Sequence, residues 1–177
     1  MTGDEELVQR AQGGDREAFA ALVELHYTRI YRFSLKFCGN SADAEDVSQQ
    51  ACVKLGQSIR QFRFESAFTT WLYTLVLNCA RDFEKSQRRH RLPVEPAGDA
   101  LAVDAGGEPA VYLGEVLEQI EQMGHGYKEA VVLVVGEGMS HAEAATILAT
   151  RESTVSWRLH QVRKRLNMVA PEGFDER

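Results

Sequence analysis

Residues 94–110, VEPAGDALAVDAGGEPA, constrain the fold of this chain more than any other segment. Three of the chain's four prolines lie in this segment or at its edge, and the segment contains three glycines and no Lys or Arg. Such a composition cannot sustain a helix or bury a core. The segment therefore predicts a linker between an N-terminal domain, residues 1–93, and a C-terminal domain, residues 111–170. A polar tail, residues 171–177, follows.

The C-terminal domain contains a predicted helical hairpin, residues 138–166. Ser140 and Glu143 form the S-x-x-E pattern of a capping box, and Ser153 is placed to cap the second helix. The second helix has an apolar stripe formed by Val155, Leu159, Val162 and Leu166. Polar and cationic residues lie off this stripe, as in a helix that enters the DNA major groove. From the geometry alone, an ordinary pair of amphipathic helices is an equally open interpretation.

The N-terminal domain is predicted to consist of longer helices. Asp15 is placed to cap one helix, and Gly39 with Asn40 to end it. Its expected inward positions are Phe19, Leu22, Val23, Leu25, Ile30, Phe33 and Phe37. Neither domain shows strand alternation. The predicted fold class is all-α, with two small helical domains joined by a flexible acidic linker and a helix-turn-helix in the second.

A second N-terminal helix is predicted to start at Ser41, with Asp43, Glu45 and Asp46 crowded into its first turn. The helix dipole favours carboxylates at this end, which is a sufficient structural explanation. The same three carboxylates also form a compact anionic surface for a basic partner. Both interpretations are open.

A loop with three aromatic residues, RQFRFESAF (residues 60–68), precedes the last helix of the N-terminal domain. That helix is predicted to be apolar on one side and basic on the other. Exposed rings beside a basic helix are suited to unpaired bases, because rings stack on bases while cations follow phosphates. The alternative is that Phe62, Phe64 and Phe68 are core residues, and for Phe68 this alternative is favoured.

The net charge of −6 hides two basic segments. Residues 81–91 carry a charge of +3 and residues 151–165 carry +4, whereas seven acids and no Lys or Arg lie between Glu95 and Glu121. Clustered cations bind nucleic acid by releasing counterions from phosphates. Two separated basic segments suggest two separated contacts on one nucleic acid.

Several other classes of function lack support in the sequence. There is no apolar run long enough to span a membrane, no secretion signal, and no Gly-rich phosphate loop, HExxH or GxSxG motif. The three cysteines are far apart, which favours free thiols in a reducing cytoplasm. His125 and His141 are expected to be ordinary polar residues. Neither a metal, a cofactor nor an enzymatic activity is expected.

Two motif blocks in the order found here resemble a bacterial sigma factor of the extracytoplasmic-function (ECF) group. The first comprises DAEDVSQQACVKL and FRFESAFTTWLYTLVLNCARD with a basic tail, and the second is YKEAVVLVVGEGMSHAEAATILATRESTVSWRLHQVRKRL. The resemblance extends from about Glu5 to Met168 and covers both domains.

The resemblance implies roles for specific residues. Contacts to the clamp of core RNA polymerase are implied for Asp43, Glu45, Asp46, Gln49 and Gln50. Contacts to the −10 promoter element are implied for Phe62, Arg63, Phe64, Glu65 and Ser66 in the base-capturing loop, and for Asn78, Arg81, Asp82, Lys85, Arg88 and Arg89 on the helix. Contacts to the −35 element are implied for Arg151, Ser153, Thr154, Ser156, Trp157, Arg158, His160, Gln161 and Arg163.

The resemblance also implies partners and a location. The partners are core RNA polymerase, promoter DNA and an anti-sigma factor that wedges against both domains, with no membrane insertion. The expected location is the cytoplasm. The linker is expected to thread the polymerase cleft, where its acidic character mimics nucleic acid.

The chain departs from the family pattern at three positions. Gln50 stands where relatives commonly have Glu, which weakens the expected clamp contact. Ala149 stands where a Gly usually ends the first hairpin helix, and a left-handed backbone costs more free energy for Ala than for Gly. Trp157 replaces a small residue and is expected either to contact a thymine methyl or to pack sideways on the scaffold.

Two alternative functions stay open at this stage. A polymerase-independent regulator using the same helix-turn-helix would need to dimerise on a palindrome and leaves the aromatic loop unexplained. A diverged sigma-like adaptor that binds only protein is supported by Gln50 and the altered turn.

Overall fold

The structure is a computed structural model that describes residues 3–90 and 109–167. The chain divides into two compact units, Met1–Leu101 and Ala102–Arg177. Within the described ranges the secondary structure is helical and contains no strand, which confirms the all-α fold class. None of the helices in these ranges is long and apolar enough to cross a membrane. Most of the predicted linker and the whole predicted tail, residues 171–177, lie outside the described residues.

The first unit contains four helices in the described range: α1 (Gly3–Gln12), α2 (Arg16–Cys38), α3 (Ser41–Ser58) and α4 (Phe68–His90). A short 3₁₀ turn, Ile59–Gln61, follows α3 directly. Helix α2 packs against α1, α3 and α4, and it is therefore the central element of this unit. The aromatic loop joins the 3₁₀ turn to α4.

Local sequence sets the ends of these helices. The Asp15 carboxylate accepts hydrogen bonds from the backbone N–H groups of Glu17 and Ala18 at 3.0 and 3.1 Å, and the Ala18 bond together with Arg10 lowers the pKa of Asp15. Gly39 ends α2 in the left-handed conformation with φ of 77°, as its lack of a β-carbon allows. Helix α3 begins at Ser41, as predicted, and Asn40 is its capping residue.

The core of the first unit follows one stripe along α2. Leu22, Ile30, Phe33 and Phe37 are buried, as predicted, whereas Leu25 is 59% exposed. The prediction that Leu25 points inward was wrong, because the stripe of α2 continues from Leu22 through His26, four residues on. His26 is accordingly 2% exposed.

The second unit also contains four helices in the described range: α5 (Pro109–Gln122), α6 (Tyr127–Val131), α7 (His141–Ile147) and α8 (Glu152–Asn167). Helix α6 continues into a π-helical turn, Val132–Gly136. Helix α5 begins at Pro109, so the last two residues of the predicted linker are helical. Proline is favoured at a helix start because its missing N–H would have no intrahelical partner there.

Helices α7 and α8 form the predicted hairpin. Ser140 and Glu143 make the complete capping box, in which Ser140 N–H donates to the Glu143 carboxylate at 2.8 Å. The side chain and backbone of Ser140 lower the pKa of Glu143. Three of the four predicted stripe residues in α8 are buried, namely Val155, Leu159 and Val162.

The predicted cap at Ser153 was wrong. Helix α8 begins at Glu152, two residues before the start that a Ser153 cap would give, and the Arg151 carbonyl accepts the first helical hydrogen bonds from Thr154 and Val155 at 2.9 and 3.2 Å. Ser153 therefore lies inside the first turn, where its side chain is exposed.

Candidate nucleic-acid interface

The aromatic loop separates buried rings from one exposed ring. Phe62 and Phe68 are 5% and 4% exposed, with ring centroids 5.7 Å apart, whereas Phe64 is 39% exposed. The core interpretation is therefore confirmed for Phe68 and extends to Phe62. Phe64 packs one side against Phe62 at 4.8 Å and presents the rest of its ring to solvent.

The backbone of the loop is held in a strained conformation. Phe64 has φ of 60°, a left-handed value that a bulky residue rarely adopts. Arg63, Glu65, Ser66 and Ala67 around it are exposed. Non-glycine residues persist in such conformations only where their surroundings fix them, so the geometry of this loop is set by its supports.

One support comes from a residue that the sequence analysis did not select. Gln12, the last residue of α1, donates from Nε2 to the carbonyl oxygens of Ile59 and Phe62 at 2.9 and 2.8 Å. These carbonyls stand just before the exposed part of the loop. No local pattern signals this contact, because 47 and 50 residues separate the partners.

The outward face of α4 is polar and cationic. Asn78, Asp82, Lys85, Arg88 and Arg89 are exposed there, and Arg81 is half-buried. Asp82 lies 3.8 Å from Lys54 of α3, and Arg88 lies 3.9 Å from Glu84. Helix α4 begins at Phe68, so the loop that carries Phe64 leads directly into this helix.

The start of α3 carries the predicted polymerase contacts. Asp43 is the only acid in the first turn, and Glu45 and Asp46 follow it, so the prediction of three acids in that turn was wrong. The Asp43 carboxylate accepts from the Asn40 side chain at 2.8 Å and completes the helix cap. The remaining predicted residues are exposed: Glu45, Asp46, Gln49 and Gln50.

The turn between α7 and α8 contains a left-handed backbone conformation at an alanine, which disfavours it. Ala149 has φ of 49° in the left-handed region, and the next residue, Thr150, donates its N–H to the carbonyl of Ala145 at 3.0 Å. The hairpin thus closes with Ala in the position where Gly is favoured. The cost is of the order of 1–2 kcal/mol.

Ser156 on α8 connects the two helices of the hairpin. Its Oγ donates to the carbonyl of Glu152 at 3.1 Å and lies 2.8 Å from Nδ1 of His141 on α7. His141 is therefore a polar residue whose hydrogen bond joins the two helices of the hairpin.

Two predicted DNA-contacting residues of α8 pack on the segment that starts α6. The Trp157 ring lies 5.9 Å from the Tyr127 ring but stays 54% exposed. The Arg158 guanidinium lies over the backbone of Gly126, where a β-carbon would overlap it. Trp157 thus packs sideways while keeping a free face, and Arg158 is partly a packing residue.

The other predicted residues of the hairpin are available to solvent to different degrees. Arg151, Ser153, His160 and Arg163 are exposed, and Thr154 and Gln161 are half-buried. Lys164 and Arg165 extend the cationic surface of α8 and are also exposed. Four cations are therefore exposed on and just before α8, namely Arg151, Arg163, Lys164 and Arg165.

The cysteines of the first unit are free thiols, and burial raises the pKa of Cys52 and of Cys79. Both thiols are therefore protonated at neutral pH and weak nucleophiles. In the parts of the chain that the structure describes, no three His, Cys, Asp or Glu side chains are grouped as metal ligands would be.

Family models match both units. The model of Sigma-70 region 2 matches residues 22–90, and the model of Sigma-70 region 4 matches residues 113–166.

Relatives match over nearly the whole chain. The ECF RNA polymerase sigma-E factor of Escherichia coli K12 is 31% identical, with 95% of this chain and 95% of the relative covered. The sigma-E factor of Haemophilus influenzae is 30% identical over 95% of this chain and 96% of the relative. The RNA polymerase sigma-H factor of Pseudomonas aeruginosa is 29% identical over 93% and 92%.

Solved structures share the fold at lower sequence identity. CnrH in complex with the cytosolic domain of CnrY matches with a TM-score of 0.69 and 23% identity, covering 94% of this chain and 96% of that chain. The sigma factor RpoE of Bartonella quintana, in complex with the anti-sigma factor NepR, matches with a TM-score of 0.66 and 20% identity, covering 85% and 94%.

Proposed function

Because the chain belongs to the extracytoplasmic-function family of bacterial RNA polymerase sigma factors, we propose that its first unit opens the −10 promoter element and its second unit reads the −35 element. The family binds core RNA polymerase and promoter DNA to start transcription. The single observation that carries the assignment to the first unit is the exposed Phe64 ring, in a loop that leads directly into the cationic helix α4.

In the first unit, Phe64 supplies the stacking surface for an unpaired base of the −10 element. Phe62 and Phe68 lie beneath it as core supports. The adjoining strand runs along α4, where Lys85 and Arg89 offer cations to its phosphates. The proposed set also includes Arg63, Glu65 and Ser66 from the loop, and Asn78, Arg81, Asp82 and Arg88 from α4.

In the second unit, α8 enters the major groove of the −35 element. The free face of Trp157 and the side chains of His160 and Gln161 reach base edges, and Arg151 and Arg163 bind phosphates. Ser156 and Arg158 contribute chiefly by fixing α8 against α7 and α6, since their polar groups already have contacts in this unit. Ser153 and Thr154 complete the set at the helix start.

Core polymerase docks on the exposed face of α3. Glu45 and Gln49 are four residues apart, as are Asp46 and Gln50, so all four side chains share one side of the helix. Val53, 61% exposed, extends this side by a further turn. Asp43 supports the surface through the helix cap.

An anti-sigma factor controls the protein, and the protein works in the cytoplasm without catalysing a covalent step. The fold likeness to RpoE of Bartonella quintana, solved with the anti-sigma factor NepR, supports this control. A partner isolated with the protein from its host should abolish its transcription activity at an equimolar ratio. An inert partner would contradict this part.

Run-off transcription tests the proposal. Purified protein is added to bacterial core RNA polymerase on fragmented genomic DNA, and transcript starts are mapped. New starts that share two spaced sequence elements are expected. Core binding without new starts would favour the protein-only adaptor, and specific duplex binding without core binding would favour the independent regulator.

A further inference from the structure

We propose that Gln12 is a positioning residue for strand opening, because its side chain fixes the point from which the Phe64 loop leaves the helical core. This inference rests on the proposed role of that loop at the −10 element. Gln12 precedes residue 22, where the match to Sigma-70 region 2 begins.

The chemistry of the contact requires a primary amide. Nε2 of Gln12 carries two hydrogens, and two carbonyl oxygens, of Ile59 and Phe62, lie 2.9 and 2.8 Å from it. The Ile59 carbonyl begins the 3₁₀ turn and also accepts from the Phe62 N–H at 3.2 Å, whereas the Phe62 carbonyl lies just beyond the turn. One NH₂ group therefore fixes the backbone at both ends of the segment 59–62.

The position of this segment controls the exposed ring. Phe62 is buried against Phe64, Phe68 and Trp71 at centroid distances of 4.8, 5.7 and 5.4 Å. Phe64, two residues on, keeps its left-handed backbone only while Phe62 stays in place. Gln12 holds the backbone of Phe62, and the neighbouring aromatic rings hold the Phe62 ring. The Phe64 ring is therefore presented in one fixed orientation before any base binds.

Two substitutions separate this role from general folding. Gln12→Met keeps the length of the side chain and removes both donors. Gln12→Glu places an ionised carboxylate, which has no donor, against the two carbonyl oxygens. Gln9→Met is the matched control, since Gln9 is exposed on the same helix.

The test measures promoter opening by the holoenzyme, using permanganate reactivity of −10 thymines, alongside core affinity and thermal unfolding of the free protein. Gln12→Met is expected to slow opening about tenfold or more, with core affinity and the Gln9→Met control at wild-type values. Gln12→Glu is expected to slow opening at least as much as Gln12→Met, because its carboxylate has no donor for either carbonyl at neutral pH.

Four outcomes are informative in different ways. Wild-type opening by Gln12→Met overturns the inference, as does wild-type opening by Gln12→Glu. An equal loss of core affinity and opening also overturns it, because the contact would then support the unit as a whole. If wild-type holoenzyme itself opens no promoter, the proposed function fails instead.

Discussion

The guanidinium of Arg158 covers the backbone of Gly126, so a cation predicted from sequence to bind DNA is engaged within its own unit. Gly126 has φ of 89°, and a β-carbon there would overlap the guanidinium. Since long cationic side chains also stabilise by packing, substitution of Arg158 changes the domain as well as its charge. Arg163, five residues further along α8 and exposed, is the cleaner probe of DNA binding.

Arg163→Gln is expected to weaken promoter binding by the holoenzyme without lowering the melting temperature. The loss of one phosphate contact should reduce the slope of log affinity against log salt by about 1. Arg158→Gln is expected to lower the melting temperature as well. Salt titrations and thermal melts check both variants, and Arg16→Gln, at an exposed position of α2, is the control. An unchanged salt slope for Arg163→Gln would contradict the phosphate assignment.

Ala149→Gly is expected to stabilise the protein by about 0.5–1 kcal/mol. Glycine relieves the left-handed strain, and part of that gain is offset by the greater freedom of glycine in the unfolded chain. Urea unfolding checks the change. The matched control is Ala142→Gly, an exposed helical position in α7, which should instead destabilise by about 1 kcal/mol. Destabilisation by both would show that the turn is not strained.

The features that sequence predicted well are encoded within a few residues. The capping box joins Ser140 to Glu143 three positions away, and Gly39 ends α2 through its own conformational freedom. The resemblance to a family located the aromatic loop and α8 for the same reason, since both are contiguous motifs.

The features that sequence missed depend on contacts between distant residues. Gln12 bonds to Phe62 across 50 residues, and His141 bonds to Ser156 across 15. The cap at Ser153 was mispredicted, since α8 begins two residues before the start that this cap would give. Hydrophobicity alone selected Leu25, although the helical stripe passes through His26.

Phe64→Ala is expected to reduce promoter opening by about 5- to 150-fold, since stacking of one base on a ring contributes about 1–3 kcal/mol. Its effect on stability should be small, because the ring is already 39% exposed. Phe62→Ala should instead destabilise the unit by about 3–5 kcal/mol, as expected for a buried ring. Permanganate reactivity and urea unfolding distinguish the two, and Phe64→Trp should retain opening. Equal opening by Phe64→Ala and wild type would remove the ring from the mechanism.

The stability of the first unit is expected to fall as the pH drops below about 6.5, the ordinary pKa of histidine. Burial lowers the pKa of His26 despite the nearby Asp4 carboxylate, which lies 3.3 Å from Nε2. Arg29 donates to Nδ1 at 3.0 Å, so the neutral ring carries its hydrogen on Nε2. Phe68 packs on the ring at a centroid distance of 5.2 Å.

The direction of this pH dependence follows from the lowered pKa of His26. The unfolded chain takes up a proton at a higher pH than the folded protein, so the stability present above pH 6.5 is lost as the pH falls through the folded pKa. His26→Phe removes this titration, and its free energy of unfolding should vary less between pH 7.5 and 5.5. Urea unfolding at three pH values checks it; parallel pH profiles for the variant and wild type would refute a role for His26.

The isolated protein is expected to bind promoter duplex poorly, and core RNA polymerase is expected to rescue binding. Each proposed contact surface is small: α8 and the residue before it expose four cations, Arg151, Arg163, Lys164 and Arg165, and the base-capturing loop exposes one ring. Binding by two units gains from a high effective concentration only when their spacing matches that of the two DNA elements, and core polymerase sets that spacing. The unpaired bases that Phe64 binds are also absent from closed duplex.

Gel-shift titrations of promoter DNA with protein alone, core alone and both together measure this rescue. A DNA fragment with an unpaired −10 segment is the matched substrate, because it supplies the bases without the need for opening. The protein alone should bind this fragment more tightly than the full duplex, and Phe64→Ala should lose that preference. Tight, sequence-specific binding of the closed duplex by the protein alone would contradict the requirement for core polymerase. It would favour a polymerase-independent regulator.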